Sequence, residues 1–125
     1  MIKPTYLVAA LLLAAPVMAD PVEGRWRSQP GENGATIDVA IQPCGSDLCG
    51  SIAAIDGPGD RAIVGRQMIW SMTPQGGGRY RGGRIWAPDQ DKTYNGKMTL
   101  QSADRLKVEG CVLVICRGQT WSRVR

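Results

Sequence analysis

Hydrophobic and polar residues alternate along this chain, and glycine and proline repeatedly cut the alternation. No long helix satisfies that pattern. The clearest instance is ATIDVAIQ, residues 35–42. Ile37, Val39 and Ile41 point one way while Asp38, Ala40 and Gln42 point the other, as successive side chains of a half-buried strand do. KTYNGKMTLQ repeats the arrangement, with Tyr94, Met98 and Leu100 on one face and Thr93, Asn95, Lys97 and Thr99 opposite. RLKVEG sets Leu106 and Val108 against Lys107 and Glu109, and EGRWRSQ turns Trp26 inward between Arg25 and Arg27.

Turn-forming residues separate these runs: Pro30 to Gly34, Pro74 to Gly78, Pro88 to Asp91 and Ser102 to Asp104. The pattern predicts about eight strands, near 23–29, 35–42, 48–55, 67–73, 79–86, 92–101, 105–112 and 118–124. RAIVGRQMIWSM leaves room for a helical turn before the fourth. Short links between successive strands make an antiparallel meander. Eight such strands can close on themselves and remove both sheet edges. The expected fold is therefore all-β, a small antiparallel meander closing into a roughly eight-stranded barrel. Gly82-Gly83 falls inside the fifth strand, where a bulge or sharp bend is the expected use, since no helix follows to build a phosphate cradle.

The first residues, MIKPTYLVAALLLAAPVMAD, place Lys3 before an apolar run and small residues at Val17 and Ala19. That is the layout of a secretory signal peptide, with an apolar segment short for a membrane span. Residues 1–19 are expected to be the leader, with cleavage after Ala19, and 20–125 a single domain in the periplasm or outside the cell. No later segment is apolar enough to cross a membrane as a helix. The chain has 15 Lys and Arg against 11 Asp and Glu, and Lys3 leaves with the leader. The remaining charges are interspersed, with no basic block and no nucleic-acid-binding motif, so no nucleic acid partner is expected.

Gly24-Arg25-Trp26 stands near the start of the domain and Thr120-Trp121-Ser122-Arg123 near its end. Trp121 and Arg123 share a face of the last strand. In a closed meander that strand adjoins the first, so an arginine of one can lie across an indole of the other. Gly24, Trp26, Trp121 and Arg123 thus resemble the barrel-closing device of the lipocalins and their calycin relatives. A fuller set of segments is similar to the exported bacterial family called domain of unknown function 2147. They are Gly24-x-Trp26, Pro43-Cys44-Gly45 with Leu48-Cys49-Gly50, Gly82-Gly83-x-Ile85, Lys92-Thr93-Tyr94, Gly110-Cys111 and Thr120-Trp121-x-Arg123. The resemblance implies a lipocalin-like barrel, no agreed activity, and small hydrophobic ligands suggested for relatives. Asp56 to Arg66 is shorter than the polar insertion that many members carry, which weakens ligand expectations if that insertion shapes the barrel mouth.

An exported chain is expected to oxidise its cysteines, and Cys44, Cys49, Cys111 and Cys116 allow three connectivities. Cα atoms five residues apart in a straight strand lie ~16 Å from each other, beyond the ~7 Å a disulfide tolerates. A local bridge therefore needs a turn between its cysteines. CGSDLC supplies turn formers, whereas CVLVIC is rich in strand formers. Cross-pairing such as Cys49 with Cys111 would close a longer loop and stabilise more. The family resemblance favours the two local pairs. The spacings and the absence of histidine speak against zinc, and no Cys-x-x-Cys is present.

Zero histidines remove the usual general base and the common triads. Asp89 and Asp91, and Asp56 and Asp60, read as solvated turn formers, and Asp38 and Glu109 as outward charges meeting water. No catalytic residue, cofactor or metal is expected. The expected interior comprises Trp26, Ile37, Val39, Ile41, Ile52, Trp70, Tyr94, Met98, Leu100, Leu106, Val108 and Trp121. Met68, Met72 and Met98 would line a plastic pocket or fill core gaps. Barrels of this size hold either packed side chains or one small ligand. Two functions follow: binding a small hydrophobic or amphipathic ligand at Trp70, Arg84, Tyr94 and Met98, or acting through the surface around a filled core. Arg84 meets such a ligand only if the Gly82-Gly83 bulge leaves it inward, and otherwise it is exposed.

Overall fold

A computed structural model describes residues 19–125, so the expected leader falls outside the described residues except for Ala19. Eight strands run in chain order: β1 Gly24–Arg27, β2 Thr36–Cys44, β3 Asp47–Asp56, β4 Gln67–Gly76, β5 Arg79–Ala87, β6 Lys92–Ser102, β7 Arg105–Val112 and β8 Ile115–Arg123. Each pairs antiparallel with the next, and β8 returns to β1, closing the barrel. One turn of 3₁₀ helix, Arg61–Ile63, sits between β3 and β4 where the sequence leaves room for a helical turn. Among the described residues no helix is long and apolar enough to cross a membrane.

Alternation decides what fills the interior. Trp26, Val39, Ile41, Ile52, Met98, Leu106, Val108 and Trp121 are buried as their faces predict, while Ile37 and Leu100 are partly buried against the same core. Trp70 departs from expectation. It pairs with Arg84 and is only partly buried, and Ile69 and Met72 point inward instead. Ser71 is the cause: its φ of 54° places it in the left-handed region, which inserts a kink and shifts the inward parity by one. Tyr94 is also only partly buried, its hydroxyl bonded to Gln90 at the barrel end.

The Gly82-Gly83 bend is present, with Gly82 at φ 73° and a register shift between Tyr80 and Gly83. Both cysteine pairs are local disulfides, Cys44–Cys49 and Cys111–Cys116, each clamping a hairpin. The up-and-down course puts them at opposite ends of the barrel.

The end that carries Cys44–Cys49 is sealed by the residues preceding β1. Val22 is fully buried there, and the Trp26 indole donates to its carbonyl at 2.8 Å. Arg123 lies directly opposite Trp26, its guanidinium carbon 4.3 Å from the ring centroid. The same guanidinium donates to the carbonyls of Pro21, Glu23 and Ala103. Gly24, at φ 129°, makes this possible, because a Cβ there would stand 2.7 Å from Arg123 Nη1.

Candidate functional site

Neighbouring side chains pack into the wall of the barrel where glycines leave space. Gly50, Gly83 and Gly96 leave recesses in the wall, and each recess is occupied by a neighbouring side chain. A Cβ on Gly83 would lie 2.7 Å from Met72 Cε, and one on Gly96 would lie 2.5 Å from Ile85 Cγ1. A Cβ on Gly50 would lie 2.9 Å from Val39 Cγ1. Met72 reaches both Gly83 and Gly96, so the methionine fills a gap between strands. Among the described residues, no buried side-chain nitrogen or oxygen lacks a partner.

The four residues expected to meet a ligand do not converge. Met98 is buried inside, and Tyr94 shares its strand face nearer the rim. Trp70 and Arg84 are cross-strand neighbours on the opposite, outer face. Arg84 is exposed and donates to Asn95 Oδ1 at 2.8 Å, because the bulge at Gly82 turns it outward. Two concavities lie instead outside the barrel, at the β4–β5 hairpin. One of about 520 Å³ is lined by Gln75, Gly76, Gly77, Arg79 and Arg81. Another of about 250 Å³ lies between that hairpin and Asp20-Pro21.

Two polar clusters have shifted protonation equilibria. Asp38 was expected to meet water on its outward face, yet only 5% of it is exposed, because Arg25 and Arg27 close over it. Burial pushes its carboxyl up, but hydrogen bonds and charge from Arg27 and then Arg25 outweigh that and hold it below the usual carboxylate range. Tyr80 is buried and donates its hydroxyl to Asp20, so burial first, then the bond to and charge of Asp20, push the phenol far above its ordinary value. Both clusters brace the wall of the barrel.

The most unusual surface is the β7–β8 turn. Val112, Leu113, Val114 and Ile115 are 58%, 91%, 94% and 69% exposed. Four consecutive exposed aliphatics are rare on a soluble domain. Cys111 and Cys116 face each other just below the turn, with Cα atoms 4.1 Å apart, and hold it in place. Leu113 takes φ 54°, a conformation that a non-glycine residue adopts only at a cost. Sequence reading missed this feature because apolar residues in a strand read as core. Only the break in alternation across Val112–Ile115 signals it.

Beside that tip the barrel is incompletely zipped. β1 has four residues and meets β8 only at Trp26↔Arg123 and Arg27↔Ser122. Val124 N donates to Arg25 O and Thr120 N to Gln29 Oε1, so the even-numbered residues turn their backbone groups toward β1. Cys116 and Gly118 follow the same alternation but have no strand opposite. The barrel closes as expected, but β1 ends soon enough to leave a short stretch of β8 without a paired strand.

The sequence profile of a family described as "Uncharacterized protein conserved in bacteria (DUF2147)" matches residues 24–123. The chain belongs to this family. The DUF2147 match runs from Gly24 to Arg123, the residue whose guanidinium lies against Gly24 and over Trp26 at the barrel closure. No curated protein matches the chain. Among solved structures, the protein HP1028 from the human pathogen Helicobacter pylori, described as belonging to the lipocalin family, is similar in fold. The TM-score is 0.70 at 14% identity, over 86% of this chain and 85% of that one. The DUF2147 chain described here is thus a closed, lipocalin-like barrel.

Proposed function

We propose that this protein is an exported, non-catalytic barrel that acts through its outer surface on another protein and holds no ligand inside. The carrying observation is that the wall recesses at Gly50, Gly83 and Gly96 are filled by Val39, Met72 and Ile85. A ligand would have to displace side chains that are almost fully buried, at the cost of their packing. Among the described residues, no partnerless buried polar side-chain atom is present to orient a guest. Export is supported by the leader-like first residues and by two disulfides, which persist in oxidising compartments. The absence of histidine supports a non-catalytic role.

A second reading, binding of a small hydrophobic or amphipathic ligand, is favoured by the structural likeness to a protein of the lipocalin family. Native mass spectrometry of mature protein purified from the producing cell separates the two. The first reading expects the bare polypeptide mass and no saturable binding of a fluorescent fatty acid. A lipid-sized adduct, with fatty acid displacing it, would establish the second and sink the first.

A further inference from the structure

The surface reading just proposed leaves open where a partner docks, and the inference here rests on it. We propose that the free edge of β8 at Cys116 and Gly118, together with the aliphatic tip Val112–Ile115, accepts an extended segment of a partner protein by strand addition. The ladder between β1 and β8 is already an interface within this chain, and β1 abandons it after two residue pairs. An incoming strand continues that same ladder in line with β1, where backbone amides and carbonyls are unpaired. The disulfide behind the tip keeps the edge extended before anything binds, so less order has to be imposed on docking.

The chemistry of the occupant follows from the side chains along the edge. Ile115 and Arg117 share one face, and Arg117 has no carboxylate or hydrogen-bond partner among the described residues. On the other face, Gly118 is closed in by β7, since a Cβ there would lie 2.6 Å from Glu109 Cγ. A segment with an acidic residue opposite Arg117 and aliphatic residues against Ile115 and Leu113 complements this edge.

Two other occupants fit less well. A second copy of the chain, pairing Cys116 with Gly118 in both directions, would set Arg117 against Arg117. A bilayer would leave the free backbone groups of the edge without partners. The loops at the same end also carry Glu32, Asp60, Asp89 and Asp91 against Arg61 and Arg66, a poor match to an anionic membrane surface.

The test uses the mature, oxidised chain, labelled with ¹⁵N, and two blocked pentapeptides of alternating residues, Glu-Val-Glu-Val-Glu and Lys-Val-Lys-Val-Lys. The glutamate peptide is expected to shift the Cys116 and Gly118 amides and slow their hydrogen exchange. The lysine peptide is expected to bind at least about five-fold more weakly. Arg117→Glu should reverse that preference, and Val114→Ser should weaken both peptides while leaving the rest of the spectrum in place. Flotation with phosphatidylglycerol vesicles should leave the protein unbound, and light scattering should report a monomer. Shifts scattered over the surface, a preference unmoved by Arg117→Glu, vesicle capture, or a dimer lost in Val114→Ser would each overturn strand addition. Those failures are distinct from failure of the surface reading, which is decided by the bound-lipid measurement alone.

Discussion

Asp38 shows how one residue can be misjudged from its strand face. Alternation correctly puts it outside, but outside is not the same as wet. Arg25 and Arg27 flank Trp26 on β1, and β1 pairs with β2 so that both guanidinium groups reach the carboxylate across one strand gap, at 3.0 and 2.9 Å. The arginines are themselves half exposed, which limits what the pairing contributes. Asp38→Ala is expected to cost about 1–2 kcal/mol at neutral pH in urea unfolding. The pH dependence has a definite sign. The folded carboxyl titrates below its unfolded value, so its contribution is fully present above about pH 4 and is lost as pH falls through the depressed folded value. The difference between Asp38→Ala and the natural chain should therefore shrink as the pH falls below about 4. A difference that stays constant, or grows on acidification, would show that the ion cluster is not its source.

At the level of strands and hairpins, most of the architecture was legible, because period-two alternation and turn residues are local signals. All eight strands lie near their expected positions, and β8 starts three residues early because CVLVIC is a hairpin with its turn at Leu113-Val114. Trp70 was not legible, since the kink at Ser71 carries no glycine or proline to announce it. The exposed tip was not legible either, because exposure depends on how far β1 extends, at the far end of the domain in sequence. The cysteines show the same division. Their spacing is local information, but which pairs form depends on the turns between them. Each bridge closes a ring of six residues, so the loop-entropy model assigns each about 2 kcal/mol. They are not equivalent, however. Cys49 is buried against the core, while Cys111 and Cys116 sit at an end that packs against little. Replacing Cys111 and Cys116 by serine is expected to cost about 2 kcal/mol and to expose the Leu113-Val114 bond to proteolysis. The same change at Cys44 and Cys49 should cost more, because it also buries a hydroxyl in place of sulfur. Equal midpoints in urea for the two double variants would contradict that ranking.

For the molecule as a whole, the two ends of the barrel have opposite characters, and the chain's own course explains why. At one end the residues before β1 and the last residue of β8 meet, so both ends of the described chain are fastened to each other. Arg123 is the fastening: it stacks on Trp26 and donates to three carbonyls from two separate segments. At the other end, among the described residues, no terminus returns to cover the gap that β1 leaves, and the aliphatic tip stands beside a free edge. Sealing at one end and availability at the other follow from the same short first strand. A barrel sealed this way should unfold in one step, since freeing β1 from β8 uncovers the interior along its length. Arg123→Ala is expected to cost about 2–4 kcal/mol, from charged hydrogen bonds and cation–π contact discounted for partial exposure. Arg123→Lys keeps the charge but lacks the planar fork that serves three carbonyls at once, so it should recover less than half of the loss. Tryptophan fluorescence and far-ultraviolet dichroism should follow the same urea transition in all three proteins. If Arg123→Lys unfolds at the natural midpoint, charge alone holds the seal, and the geometric role assigned to the guanidinium is wrong.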